Sequence, residues 1–165
     1  MIIIHRPVLI SFVCRRGLAT AAAATQGSVF RLYSDGASRG NPGLAGCGAV
    51  LTSADGEIVA TKKLYLGEAV TNNAAEYHGL LLALELAKDN GVDHVQLHLD
   101  SELVVKQMQG VYRVKHAGLQ PLFQQAKQAC ANMTVTFHAI PRAANAAADK
   151  LANEAIDDHH NDVGR

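Results

Sequence analysis

The hydrophobic pattern of this chain shifts near Thr71, from successive strand-like runs to helix and strand in alternation, and that shift leaves few folds open to it. Before it, apolar residues come in short runs rich in β-branched and aromatic types, broken by Gly, Pro and an Asp-Gly pair. After it, apolar residues recur at three- and four-residue intervals, and short strand-like runs alternate with them. Val29–Ser34 reads as a strand ended by Asp35-Gly36, and Gly36, Gly40, Pro42, Gly43 and Gly46 predict a loop behind it. Cys47–Thr52 and Glu57–Leu66 read as two strands joined through Ala54-Asp55-Gly56, a strong hairpin signal. Thr71-Asn72 can cap a helix that runs to Asn90-Gly91, with Leu80, Leu81, Leu84 and Ala87 at helical spacing. His94–Leu99 follows as a strand, Ser101–Gln109 as a short helix and His116–Ala131 as a helix with Pro121 in its first turn. Met133–Ala139 reads as a fifth strand and Asn145–Ile156 as a last helix. Three strands in succession, then alternation, predict an α/β domain with a mixed sheet and helices on both faces.

At 165 residues the chain can build one ordinary core and not two. The division expected is an extension over 1–28, one folded domain over 29–158 and a polar tail over 159–165. Lys/Arg and Asp/Glu balance at 15 each. Three of the arginines and none of the acids fall in residues 1–28, so the rest of the chain carries an excess of three acids. Bulk charge therefore does not advertise a nucleic-acid binder. The extension is apolar, Arg-bearing, acid-free and rich in Ala, Thr and Ser, the composition of a mitochondrial or plastid targeting peptide. A secretory signal is the rival, but Arg6 and Pro7 interrupt its apolar run and Arg15-Arg16 follow that run. No stretch reaches the roughly 20 apolar residues of a membrane span. Three cysteines without zinc or CxxC spacing suit a reducing compartment, not a disulfide framework.

Four acids stand where a structural acid is seldom placed. Asp35 and Asp100 follow apolar strands, Glu76 lies four residues before Leu80, and Asp149 lies three before Ala152. Positions i and i+4 share a helix face, so Glu76 points with the buried stripe. An inward, unpaired carboxylate is costly, and several together repel. A divalent cation resolves the conflict, and all-oxygen ligands suit Mg²⁺ or Mn²⁺. Two such ions about 4 Å apart can hold both the attacking water and the leaving oxygen of a phosphodiester cleavage. Any one of these acids alone is more economically a turn or cap residue, Asp35-Gly36 above all.

The flanks of the acids decide between these readings. Asp35-Gly36-Ala37-Ser38-Arg39-Gly40-Asn41-Pro42-Gly43 resembles the opening motif of ribonuclease H, type 1. Thr71-Asn72-Asn73-Ala74-Ala75-Glu76-Tyr77 is similar to its second motif and Asp100-Ser101-Glu102-Leu103-Val104 to its third. Pro141–Ala152 resembles its fourth, and the match runs in order from about Val29 to Ile156. The resemblance implies a ribonuclease H-like fold, with a five-stranded sheet in the order 3-2-1-4-5. It implies an endonuclease that hydrolyses the RNA strand of RNA–DNA hybrids, leaving 5′-phosphate and 3′-hydroxyl ends. Asp35, Glu76, Asp100 and Asp149 would bind two Mg²⁺, with Mn²⁺ as a substitute, and Glu76 would also contact the ribose beside the scissile phosphate. Asn41, Asn72 and Asn73 would contact the hybrid across its minor groove, Thr71 a phosphate of the DNA strand, and Asn145 and Arg142 the region of the scissile phosphate. Gly36, Ser38 and Arg39 lie beside Asp35, where the backbone could read the 2′-hydroxyls that only RNA carries. No membrane is implied, and a single chain is expected to suffice.

The chain also departs from the common pattern. Many members carry a histidine in the loop before the last acid; here that position is Ala139, and the neighbouring His138 fits a strand face. The chain resembles the archaeal and plant-like branch, in which an arginine serves, and Arg142 is the candidate for proton transfer or product release. No basic handle follows the third motif, so affinity for substrate is expected to be weak and salt-dependent. Glu102 stands where many members have a glutamine that touches nucleic acid. Tyr77 and Tyr112 could stack on sugars or bases, although core packing is the more economical use. The alternatives are a ribonuclease H-like nuclease acting on another nucleic acid, a catalytically quiet nucleic-acid-binding module, and a cation-binding structural domain. The four acids argue against the quiet module, because clustered negative charge beside a phosphate aids no mere binder.

Overall fold

The computed structural model describes residues 29–163, so the extension over 1–28 lies outside the described residues. Five strands, β1 (Phe30–Gly40), β2 (Gly43–Thr52), β3 (Ile58–Val70), β4 (His94–Leu99) and β5 (Thr134–Ala139), form one sheet in the order β3-β2-β1-β4-β5. The first three make an antiparallel meander; β4 then pairs parallel to β1, and β5 parallel to β4. Four helices join them: α1 (Asn72–Asp89), α2 (Glu102–Met108), α3 (Gln120–Ala129) and α4 (Ala146–Val163). The expected class, strand order and alternation all hold.

Alternation along β2 shows how the two faces are covered. Cys47, Ala49 and Leu51 are fully buried in one core with Leu80, Ala83, Leu84 and Ala87 of α1. Gly46 and Gly48 face the other way, and a Cβ on either would stand within 2.6 Å of an α4 backbone oxygen, from Ala152 and Ala148 respectively. α1 therefore packs one face of the sheet and α4 the other. The α4 layer is built from small residues: buried Ala148, Ala152, Ala155 and Ile156 meet a strip of glycine. The main core lies on the α1 side, where Leu97, Leu99, Val104, Val105 and Met108 complete it.

Several boundaries differ from the expected ones. β1 does not stop at Ser34: it runs on to Gly40, paired with β2 as far as Gly40 opposite Gly43, so the Gly-rich segment is strand and only Asn41-Pro42 turns. Backbone pairing does not need side chains, and glycine there admits neighbours that a larger residue would exclude. β3 likewise continues to Val70. The helix expected from His116 starts at Gln120, because a turn closed by Leu119 N–H donating to the His116 carbonyl (3.0 Å) comes first. Pro121, restricting the residue before it and supplying no N–H, suits the start of that helix. A 3-10 turn over Arg142–Asn145 precedes α4. α4 itself runs past Ile156 into the expected tail, ending at Val163. Ion pairs from Arg39 to Asp157 (2.7 Å) and Lys63 to Asp158 (2.8 Å), with His159 stacked on Tyr65, tie those extra turns to the sheet.

Candidate active site

The site starts from the place where the sheet changes direction. β1 is antiparallel to β2 on one side and parallel to β4 on the other. The pairing of β1 with β4 ends at Tyr33 opposite His98, and β1 then runs on alone on that side. Asp35 and Asp100 lie two residues beyond this last pair, one on each strand's line, and so face the same way. The carboxyl ends of parallel strands at such a switch are where open α/β sheets bind ligands. Asp35 is 4% exposed and sits within β1, not at its end as expected.

Glu76 reaches the same place because α1 lies directly on the β1 backbone. A Cβ on Gly36 would fall about 2.3 Å from the Glu76 nitrogen, and a Cβ on Gly79 would fall 2.6 Å from the Asp35 carbonyl oxygen. Two glycines, one on each element, remove the side chains that would hold them apart. Thr71 caps the helix, its hydroxyl accepting from the Ala74 N–H at 3.3 Å. Asp35, Glu76 and Asp100 then offer carboxylate oxygens that all lie within 4.8 Å of one another.

Burial and proximity make these carboxylates costly to ionise. Burial, and then the charges of Asp100 and Asp149, push the Asp35 carboxyl up to about 6. Burial, and then Asp35 and Asp100, push Glu76 up to about 9. Hydrogen bonding from the Gly36 amide acts in the opposite direction on both groups and is outweighed. The Glu76 Oε2 atom is buried and accepts no hydrogen bond. Three oxygen donors, one of them without a partner, fit a hard divalent cation.

Asp149 stands apart from this trio. It occupies the first turn of α4, and the Arg142 guanidinium donates to its Oδ1 at 2.7 Å. Arg142 is 77% exposed, and Asp149 itself 29%. The guanidinium is held above its ordinary value first by that hydrogen bond and then by Asp149 and Asp35, which places it among the acids. Asn145 is 1% exposed, and its amide donates to the Ser34 carbonyl at 2.9 Å and to Asp100 Oδ1 at 3.3 Å.

The remaining expected residues form a polar rim beside Glu76. Asn41, in the β1–β2 turn, accepts the Asn72 N–H at 3.1 Å, joining that turn to the start of α1, where Asn72 and Asn73 are exposed. The Ser38 hydroxyl is turned to the Gly40 and Val70 carbonyls, at 2.6 and 2.7 Å, and Arg39 to Asp157. His138 is a strand-face residue: it stacks on His98 and lies 2.9 Å from the Thr136 hydroxyl. Tyr77 is a core residue whose hydroxyl donates to the side-chain amide oxygen of Gln107 at 2.8 Å. Glu102 is paired with Lys106, so its extra charge is locally offset. Gly36, expected beside the substrate's 2′-hydroxyls, has the α1 backbone against its Cβ position. Gly79 was not among the expected residues, although a glycine inside a helical stripe costs about 1 kcal/mol and asks for a packing reason.

Comparison with known proteins agrees with this geometry. The family described as reverse transcriptase-like matches residues 33–155. A ribonuclease HI of Halobacterium salinarum is 45% identical over 136 residues, 81% of this chain and 67% of that protein. A bifunctional protein of Mycobacterium tuberculosis is 44% identical over 128 residues, 76% of this chain; the matched part is only 35% of its length. This chain thus spans about a third of that relative. Among solved structures, a ribonuclease H1 designated LC11, in complex with an RNA/DNA hybrid, superposes with a TM-score of 0.75 at 43% identity, covering 79% of this chain and 98% of its own. With the strand order, the acidic cluster and these likenesses in agreement, the chain belongs to the reverse transcriptase-like family and, within it, to ribonuclease H, type 1.

Proposed function

We propose that this protein is an endoribonuclease that hydrolyses the RNA strand of RNA–DNA hybrids, leaving 5′-phosphate and 3′-hydroxyl ends. The observation that carries the proposal is the trio of inward carboxylates, Asp35, Glu76 and Asp100, within 4.8 Å of one another, with burial first and mutual repulsion second raising the pKa values of Asp35 and Glu76. Two divalent cations, Mg²⁺ by preference, would supply an activated water and stabilise the departing 3′-oxygen. Asp35, Glu76 and Asp100 would hold them. Asp149 would join once Arg142 turns from it to the scissile phosphate, a planar donor fork well matched to phosphate. The exposed Asn72 and Asn73, with Asn41 and Thr71 beside them, would line the path of the hybrid and read its 2′-hydroxyls and phosphates.

The test uses one labelled strand sequence presented as an RNA–DNA hybrid, an RNA duplex and a DNA duplex, each with Mg²⁺ and with chelator. Metal-dependent cutting of the RNA strand of the hybrid alone is the expected result. Cutting of another duplex in preference would keep the nuclease and replace the substrate; no cutting of any would leave a binding module. We also propose that residues 1–28 carry the chain to a mitochondrion or plastid, on their composition alone. A fluorescent reporter fused behind them should concentrate in that organelle, and diffuse cytosolic signal would refute the address.

A further inference from the structure

The family motif invites Asn145 to be read as a contact for the substrate's phosphate. Its surroundings point elsewhere. At 1% exposure it is among the most buried polar residues described, and its amide nitrogen is turned inward. That nitrogen lies 2.9 Å from the carbonyl oxygen of Ser34, the residue before Asp35, and 3.3 Å from Oδ1 of Asp100. One planar group therefore touches β1 and the carboxylate after β4, and it does so from the segment that leads into Asp149.

Asp100 needs such a partner. It follows the last residue of β4, in a bend before α2, where no ladder fixes its side chain. Asp35 and Glu76 are fixed by a strand and a helix packed backbone to backbone; Asp100 has no comparable support. An amide suits the task better than a charged group. It donates without cancelling the negative charge that a cation requires, whereas Lys or Arg at this position would compete with the cation for the carboxylate. An aliphatic residue would leave both acceptors without a donor.

We propose that Asn145 is a positioning residue that aims the Asp100 carboxylate into the cation site, and is not a contact for nucleic acid. This rests on the cation site proposed above and assigns one residue's role within it. Asn145 should act on metal affinity through Asp100, and should leave affinity for the hybrid untouched.

The test measures Mn²⁺ binding by titration calorimetry, without nucleic acid, for the parent, Asn145→Ala, Asp100→Asn and the double variant. Thermal melts run alongside to confirm folding. Asn145→Ala should weaken Mn²⁺ at least tenfold in the parent and have little further effect in the Asp100→Asn background, since interacting positions are non-additive. Its hybrid cleavage should recover as Mg²⁺ is raised, with KM for the hybrid unchanged. Asn145→Ser, a smaller polar replacement that does not reach Asp100, should show the same loss of metal affinity if Asn145→Ala fails to fold. Unaltered Mn²⁺ affinity together with a raised KM for the hybrid would overturn the proposal in favour of a substrate contact. Equal losses with and without the Asp100 carboxylate would overturn it in favour of a general structural role. A parent protein that binds no Mn²⁺ would instead remove the cation site itself.

Discussion

Asp35 is costly where it stands. It is almost fully buried, it faces two other acids, and its protonation is favoured up to about 6. Its position was legible in the sequence because an acid that ends an apolar run is rare and because its neighbours carried a recognisable motif. What could not be read was its partner set. Of the four expected acids, three converge within 4.8 Å, while the fourth, Asp149, acts on Asp35 through its charge and is paired with Arg142 at 2.7 Å. A guanidinium seven residues upstream on a 3-10 turn could reach either the acid or a phosphate, and the sequence does not state which. Arg142→Ala should lower turnover by roughly 100- to 1,000-fold, the order for loss of one donor to developing charge. It should change the melting temperature little, because an exposed ion pair contributes at most about 1 kcal/mol. Turnover equal to the parent's, measured under saturating hybrid, would remove Arg142 from the site.

At the scale of elements, the site depends on how closely α1 can lie against β1. Ridge-and-groove packing would hold the axes apart by the thickness of side chains; Gly36 and Gly79 let the two backbones touch instead. Gly36→Ala or Gly79→Ala should destabilise the protein by about 1–3 kcal/mol, the usual cost of overpacking. Either should also reduce metal affinity by displacing Glu76 from Asp35. Denaturant melts and Mn²⁺ titration check the two effects, and a Gly79→Ala protein as stable as the parent would show the contact to be slack. Elements with clear ends, α1 and β4, were placed within a residue or two from period and turn or capping signals alone. The Gly-rich half of β1 was misjudged as loop because turn chemistry and close packing call for the same residue. The later start of α3 was missed because a local turn over His116–Leu119 comes before it, and the helical tail beyond Ile156 because ion pairs to the sheet, not propensity, hold it.

For the whole molecule, the acid cluster links folding, pH and cation. A carboxyl with a raised folded-state pKa binds its proton more tightly in the native chain than in the unfolded one, so its contribution is greatest at low pH and declines as pH rises. For Asp35 that decline spans the interval from about 4 to about 6, and for Glu76 from about 4.5 to about 9. In chelator, the groups of this site should therefore make the protein less stable at pH 8 than at pH 6. A divalent cation at about a hundred times its Kd would restore about 2.7 kcal/mol, several degrees in Tm. The same cation should do much less at pH 5, where protonated carboxyls are poor ligands. Equal metal-induced shifts at pH 5 and pH 8 would mean that the cation binds elsewhere. The order of strands was read through a family likeness, since hydrophobic period predicts a mixed sheet but not which strand lies beside which. Substrate lies one step further on, because the same fold can present other nucleic acids to the same acids. The most direct measurement is the rate at which a folded Asp100→Asn protein cuts the RNA strand of a hybrid in Mg²⁺, compared with the parent. A fall of at least about a hundredfold with an unchanged thermal melt is predicted; cutting at the parent rate would contradict the assignment of these carboxylates to catalysis.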